Sequence, residues 1–474
     1  MTNPKDSRRR WHALIVLCLG VLMMVLDTTI VNVALPSIRI DLGFDETALV
    51  WVVNGYMLTF GGFLLLGGRL GDLYGHRRMF LAGIALFTLA SLACGLARSQ
   101  ELLIVARAVQ GLGGAVVSAV ALSLIMTLFP EPADRTKAMG VYGFVCAGGG
   151  SIGVLLGGVL TSGFDWHWIF LVNVPIGIAV FGLCLRLIPA VPGGPGQRLD
   201  VGGAVTVTLS LMLAVYAIVN GNAAGWSSAR TLGLLGAAAL LLALFIVIES
   251  RAAAPLMPLA LFRRRNVATA NIAGVFWAAA MFAWFFISAL YLQLVLHYDP
   301  LQVGLAFLPA NLIMAALSLG LSAKLVMRHG FRLPLAAGLG LAAAGLALFA
   351  RAPVDGSFVL DVLPGMVLLG LGAGIALNPV LMAAMSDVDP QDAGLASGVV
   401  NTSFMMGGAL GLAALASLAA SRTAALHAAG ATPLDALNGG YQAAFAAGAL
   451  FALVAGAIGA WLLRDARPLA ASPA

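Results

Sequence analysis

From Ala13 to Leu35 the sequence is almost wholly apolar and carries one charge, Asp27. Stretches of this kind recur along the whole chain, and that recurrence constrains the fold more than any other feature. A helix of about 20 apolar residues matches the hydrocarbon thickness of a bilayer, where only helices and closed barrels satisfy their own backbone. Fourteen such runs are predicted as spans. The first six lie near 13–35, 48–69, 79–97, 102–128, 138–162 and 167–188, and two follow near 201–220 and 231–249. The last six lie near 267–295, 301–326, 333–350, 361–385, 393–420 and 441–463. The chain is 61% hydrophobic and 10% charged, against about 25% charged in a soluble domain. The expected class is an all-α polytopic membrane protein.

A net charge of +6 is compatible with a nucleic-acid ligand, but its placement argues for orientation instead. Of the 26 Lys and Arg, twenty fall in loops on the side of the amino terminus and five on the opposite side. The positive-inside rule then places both termini in the cytoplasm of a multi-pass inner-membrane protein, with the lipid bilayer as its surroundings and no nucleic-acid partner. Arg8-Arg9-Arg10 imitates the charged start of a signal peptide. The run that follows is too long and lacks a small-residue cleavage site, so the first span is expected to be retained. Cys18, Cys94, Cys146 and Cys184 all fall in apolar segments without metal-ligand spacing, and they read as small core residues. No metal or cofactor is expected.

An internal repeat divides the chain. Arg69-Leu70-Gly71-Asp72-Leu73-Tyr74-Gly75-His76-Arg77 returns as Lys324-Leu325-Val326-Met327-Arg328-His329-Gly330-Phe331-Arg332, 255 residues on. Gly111-Leu112-Gly113-Gly114-Ala115 returns as Gly370-Leu371-Gly372-Ala373-Gly374, offset by 259. The expectation is a six-helix bundle over residues 1–190, an inserted two-helix segment over 191–265 and a second six-helix bundle over 266–474. Related halves around a midplane site are a common plan of secondary transporters. The copies differ in charge, since Asp72 aligns with Met327 and Arg107 with Met366.

Asp27 is the one acid of 20 that sits well inside a span. An ionisable group in hydrocarbon costs several kcal/mol unless paired, so Asp27 needs a partner or a task. Arg107 is the second buried charge. By helical rise it lies roughly 9 Å from the outer face and Asp27 roughly 12 Å, so an ion pair is possible. The pair reads either as a proton-coupling device, in which protonating Asp27 frees Arg107, or as a permanent tie between the first and fourth spans. Gln110, one turn from Arg107, and Asn32 could complete a polar network or could only bridge helices, and both are candidates to line a substrate cavity. In Gly68 to Arg78, Gly75 permits a tight turn, and Asp72 can pair with Arg77 or Arg78 as a cytoplasmic gate. The alternative is that these charges only set topology.

These motifs resemble the major facilitator superfamily, in its branch of fourteen-span drug:proton antiporters. Gly68 to Arg78 is similar to the family's loop motif between the second and third helices, and Arg107 to Ala115 to its fourth-helix motif. Leu26 to Pro36 and Trp166 to Gly177 are similar to that branch's first helix and entry to its sixth. The resemblance implies a 6 + 2 + 6 helix plan and proton-coupled efflux of lipophilic drugs or related small molecules by rocking of two halves. One departure stands out. The antiporter motif expects Gly-Pro-x-x-Gly-Gly, and here Gly153, Gly157 and Gly158 are kept while Val154 replaces the proline. Gly111, Gly153, Gly157 and Gly158 remain available for close helix packing.

The seventh span concentrates aromatics, with Trp277, Phe282, Trp284, Phe285, Phe286 and Tyr291, plus Gln293. They suit a flat lipophilic cation, or equally a lipid-facing and interfacial packing role. Asn378, beside Pro379, and Asn401 are further cavity candidates, because a proline frees backbone carbonyls. The inserted helices 201–249 read as peripheral and lipid-facing. No Gly-x-x-x-x-Gly-Lys-Ser/Thr sequence occurs, which argues against direct ATP use, and too few polar residues share one depth for an enzyme. Export of one endogenous metabolite or envelope precursor is the alternative reading. A monomer is the expected working unit, and an envelope-spanning efflux protein is a candidate partner.

Overall fold

The structure, a computed structural model, describes residues 4–45, 47–189, 200–252, 255–386, 388 and 393–464. Among these residues all regular structure is helical. The chain runs through α1 (Pro4–Leu42), α2 (Val50–Tyr74), α3 (His76–Gly95), α4 (Gln100–Leu128) and α5 (Pro132–Gly163). The sixth expected span is two pieces, α6 (Trp168–Leu171) and α7 (Asn173–Leu187). A hairpin follows, α8 (Val201–Ala224) and α9 (Ala229–Arg251). The remainder is α10 (Arg265–Leu290), α11 (Pro300–Ala316), α12 (Ser322–His329), α13 (Arg332–Phe349), α14 (Leu363–Met385), α15 (Ala393–Ala428) and α16 (Pro433–Leu462).

Among the described residues twelve segments are long and apolar enough to cross a membrane. That measure supports twelve spans, where the sequence led to an expectation of fourteen. The fifth and eighth expected spans hold shorter apolar helices among the described residues, Ile152–Gly163 within α5 and Pro300–Ala316. Leu317–Leu321 winds as a π-helix between α11 and α12. The linker 190–199, within the expected inserted segment, lies outside the described residues, as does the side chain of Cys146.

The repeat read in the sequence has matching contacts in space. Gly113 lies so close to α3 that an added Cβ would sit 2.7 Å from Phe87 N and 3.0 Å from Gly83 O. The equivalent Gly372 would place a Cβ 2.6 Å from both Ala342 N and Gly338 O of α13. Small residues let these helices touch backbone to backbone, as membrane helices do where burying apolar surface gives no advantage. The loop arginines repeat as well. Arg77 Nη2 donates to Leu185 O at the end of α7, 2.7 Å, and Arg332 Nε donates to Ala460 O near the end of α16, 2.6 Å. Each satisfies a carbonyl at a helix terminus that has no partner within its own helix and lies at the negative end of the dipole.

The two ends of the bundle are distinguishable. At the end where α1 begins, Trp11 packs on Phe129 with ring centroids 5.1 Å apart, and Asn266 Nδ2 donates to Arg464 O, 3.0 Å. At the opposite, far end, the first six helices meet the last ones. Gln293 Nε2 donates to Val33 O, 2.9 Å, and Leu301 N donates to Ser162 Oγ, 3.1 Å. Gly158 packs so tightly there that a Cβ would lie 2.7 Å from Pro300 O. Along the other side of the seam Asn54 Nδ2 donates to Ala409 O, 2.9 Å.

The hairpin is only partly peripheral. α9 is largely exposed, while α8 packs against α2 and α15. Thr208 Oγ1 leaves no room for a Cβ on Gly62, and Asn222 Nδ2 donates to Ser417 O, 2.7 Å.

Candidate functional site

Asp27 and Arg107 meet. Arg107 Nη1 donates to Asp27 Oδ2 at 2.5 Å. The pair is sealed, with Asp27 0% and Arg107 1% exposed. The expectation of an ion pair rested on depth alone; the structure adds how the remaining polar atoms are satisfied. Arg107 Nη1 also donates to Gln110 Oε1, 2.6 Å, and Nε donates to Val52 O on α2, 2.8 Å. The guanidinium lies over the Tyr56 ring at 4.6 Å and near the Phe170 ring at 5.6 Å, a geometry in which a desolvated cation gains from the ring quadrupoles.

Gln110 sits at the centre of the network. It lies three residues after Arg107 on α4, so both side chains leave the same face. Its Nε2 donates to Asp27 Oδ1 at 2.7 Å and to Ser91 Oγ at 2.8 Å. Asn173 Nδ2 adds a donor to the same Asp27 oxygen, 3.2 Å. The carboxylate is thus held by three donor side chains from α4 and α7, and α2 and α3 close the cage. A buried charge is tolerated when every partner is present, and leaving one unmatched is expensive.

The sequence reading missed Ser91, Asn173 and Tyr56. A signal for Asn173 was present, since it belongs to the Trp166 to Gly177 motif, but an amide near the start of a span reads as interfacial. The break at Val172 between α6 and α7 makes Asn173 the first residue of a new helix. Asn32 is a correction. It bonds its own helix through Thr28 O, 3.2 Å, and takes no part in the network. Five residues after Asp27, it is rotated by about 140° around α1.

The loop 68–78 differs from expectation in its partners. Gly75 adopts φ 93°, a conformation glycine takes readily. Asp72 pairs with His76, Oδ1 to Nε2 3.2 Å, rather than with Arg77 or Arg78. Arg77 is occupied at the end of α7, and Arg78 is exposed. Gly68 is loosely packed, the nearest atom to an added Cβ being Ala119 Cβ at 3.9 Å.

The aromatic residues proposed for a cavity turn inward. Trp277 and Trp284 are 1% and 2% exposed, and Trp284 packs on Phe285 and Phe307 with centroids 4.4 and 5.8 Å away. They form core of the last helices, neither lipid-facing nor interfacial. Tyr291 Oη donates to Pro353 O, 2.8 Å, and Gln293 belongs to the far-end seam. Asn378 is half-buried and donates to Ser318 O, 3.1 Å. Asn401 is exposed and donates to Ser397 O of its own helix. The packing glycines behave as their spacing suggests. A Cβ on Gly111 would sit 2.4 Å from Tyr56 O, one on Gly153 3.0 Å from Leu26 O, and one on Gly157 2.7 Å from Ile30 O. Val154 is buried within a continuous α5, so the helix runs through the position where the related motif has proline.

An all-helical bundle of many apolar helices with an ion pair sealed inside it has the make of a membrane transporter. Comparison with known proteins agrees. The sequence profile of the Major Facilitator Superfamily matches residues 17–412, and the chain belongs to that family. It is similar to the puromycin resistance protein pur8 of Streptomyces alboniger, 39% identical over 98% of this chain and 93% of that protein. It is also similar to the cephamycin export protein CmcT of Amycolatopsis lactamdurans, 41% identical over 87% and 85% of the two chains. The multidrug resistance protein Stp of Mycobacterium tuberculosis is 37% identical over 88% of this chain and 77% of its own. Among solved structures, the nucleoside transporter NupG superposes with a TM-score of 0.66 at 13% identity, covering 96% of this chain and all of that one. A bacterial homologue of the lysosomal transporter Spinster gives 0.66 at 17%, covering 97% of each. These two speak to the fold alone.

Proposed function

We propose that this protein is a secondary active exporter that moves antibiotic-like small molecules out across a cytoplasmic membrane in exchange for protons. The observation that carries the coupling is the Asp27 cage. One carboxylate accepts from Arg107, Gln110 and Asn173, and nothing reaches it from solvent in this state. Adding a proton to Asp27 removes the charge that pairs with Arg107, so one polar tie among α1, α4 and α7 is released. A change of one proton thereby alters helix packing, which is the minimum a coupled carrier requires. The reading extends to fourteen crossings, since α5 spans 32 residues and α12 continues the line of α11. It also extends to both termini in the cytoplasm, to movement of residues 1–190 against 266–474 about a central cavity, and to gating by the 68–78 loop at the termini side.

Export is supported by the names of the relatives, which are resistance and export proteins. A narrower reading has its own support, because several relatives are named for a single antibiotic, among them puromycin, cephamycin and lincomycin. One experiment addresses both. Inside-out vesicles energised with a proton gradient are challenged with lipophilic antibiotics, and interior pH is followed for wild type and Asp27→Asn. Collapse of the gradient by several compounds in wild type alone supports coupled multidrug export, and collapse by one compound supports the narrow reading. Equal responses of wild type and variant to a transported compound would remove Asp27 from the coupling.

A further inference from the structure

A second buried acid lies outside the site described above. Glu249 closes the last turn of α9 and is 3% exposed. Its Oε2 accepts from Met257 N, 3.0 Å, in the segment that leads from the hairpin to α10. Asp200 stands at the other end of the hairpin, where its Oδ1 caps α8 by accepting from Gly203 N, 2.7 Å. Each acid therefore uses one oxygen to hold backbone. The other two oxygens, Glu249 Oε1 and Asp200 Oδ2, are buried and have no donor. They face one another over Gly203, where an added Cβ would lie 2.5 Å from the first and 2.8 Å from the second.

Two ionised carboxylates cannot satisfy each other, because both only accept. A single proton between them removes both orphans at once. We propose that Asp200 and Glu249 share one proton and form a second protonation site, built into the junction between the inserted hairpin and the last helices. Among the described residues no donor reaches either oxygen. The described groups that act on Glu249 are Asp200, at the cap of α8, and the Met257 and Leu256 N–H groups; Leu66, Leu256 and Ala204 pack together as a small apolar cluster. The charge acting on Glu249 is that of Asp200. Arg251 on the same helix is exposed to solvent.

With its proton the pair ties the start of α8, the end of α9 and the 256–257 backbone into one knot. Without it, two like charges are pressed together and the knot loosens. This inference does not depend on export or on Asp27. It is tested on the full-length protein in detergent by infrared spectroscopy and thermal unfolding. Glu249→Gln and Asp200→Asn each replace the shared proton by an amide donor and keep the acceptor for the backbone, so both are expected to fold. The expected result is that wild type at neutral pH shows the carbonyl band of one protonated carboxylic acid that both variants lack and Asp27→Asn retains. The folded pair then holds a proton that the unfolded chain has released, so wild-type melting temperature falls as pH rises through the range in which that proton leaves. Glu249→Gln is flat over the same range. If Glu249→Gln loses only an ionised-carboxylate band, or if the two melting curves run parallel with pH, the shared proton is ruled out.

Discussion

Neutralising Asp27 alone and neutralising it together with Arg107 separate a coupling pair from a structural one. In Asp27→Asn the guanidinium stays buried and keeps Val52 O, Gln110 Oε1 and the Tyr56 and Phe170 rings. Removing one member of a buried pair costs about 3–5 kcal/mol. Coulomb's law at 4 Å with an effective dielectric of 20 gives a similar loss, about 4 kcal/mol. Because two neutral acceptors and two rings remain, the expected loss is near the lower bound, about 3 kcal/mol. Arg107→Met introduces the residue type that the second half carries at the matching Met366. In Asp27→Asn with Arg107→Met, the new amide can donate to the vacated Gln110 Oε1, so most of the stability returns. Unfolding in mixed micelles measures the stability, and drug-driven collapse of a proton gradient in vesicles measures the coupling. The expected outcome is recovered stability without recovered proton movement. If the double variant moves protons like wild type, Asp27 does not carry the coupling. If Asp27→Asn alone is as stable as wild type, the reasoning about the unpaired guanidinium fails.

Other substitutions address other parts of the fold. Gly158→Val presses a side chain against the Pro300 backbone; it should abolish transport, and a cysteine at Gln293 should label faster from the far side than in the parent. Asp72→Asn breaks only an exposed pair with His76, so stability should change by less than about 1 kcal/mol; unchanged transport would discard the gate. Val154→Pro restores the related motif but puts proline inside a continuous α5, and a loss of about 3 kcal/mol is expected in the same unfolding assay.

What was legible in the sequence follows from where physics is unforgiving. Asp27 and Arg107 stood out because few charges survive in hydrocarbon, and two of opposite sign at similar depth have few alternatives. The repeat was visible because close helix contact admits little besides glycine at Gly113 and Gly372. Facing was not legible, since these spans are apolar on every side and no amphipathic stripe marks the buried face. Trp277 and Trp284 therefore read equally as cavity or packing residues until the structure showed them buried, and Asn32 read as a network or bridging residue although it bonds its own helix. Asn173 depended on a one-residue break at Val172 that no composition signal marked. Glu249 looked like an ordinary span-end charge, because its partner Asp200 lies a whole hairpin away in sequence.

The far-end seam has a consequence for how such a protein can change over generations. Its described hydrogen bonds end on backbone, at Val33 O and Ala409 O, or on the small Ser162 hydroxyl, and its tightest approach is at Gly158. A backbone acceptor is supplied by any residue, so neighbouring side chains are free to drift provided the glycine and the donor amides persist. Variation can then accumulate beside the seam without retuning it.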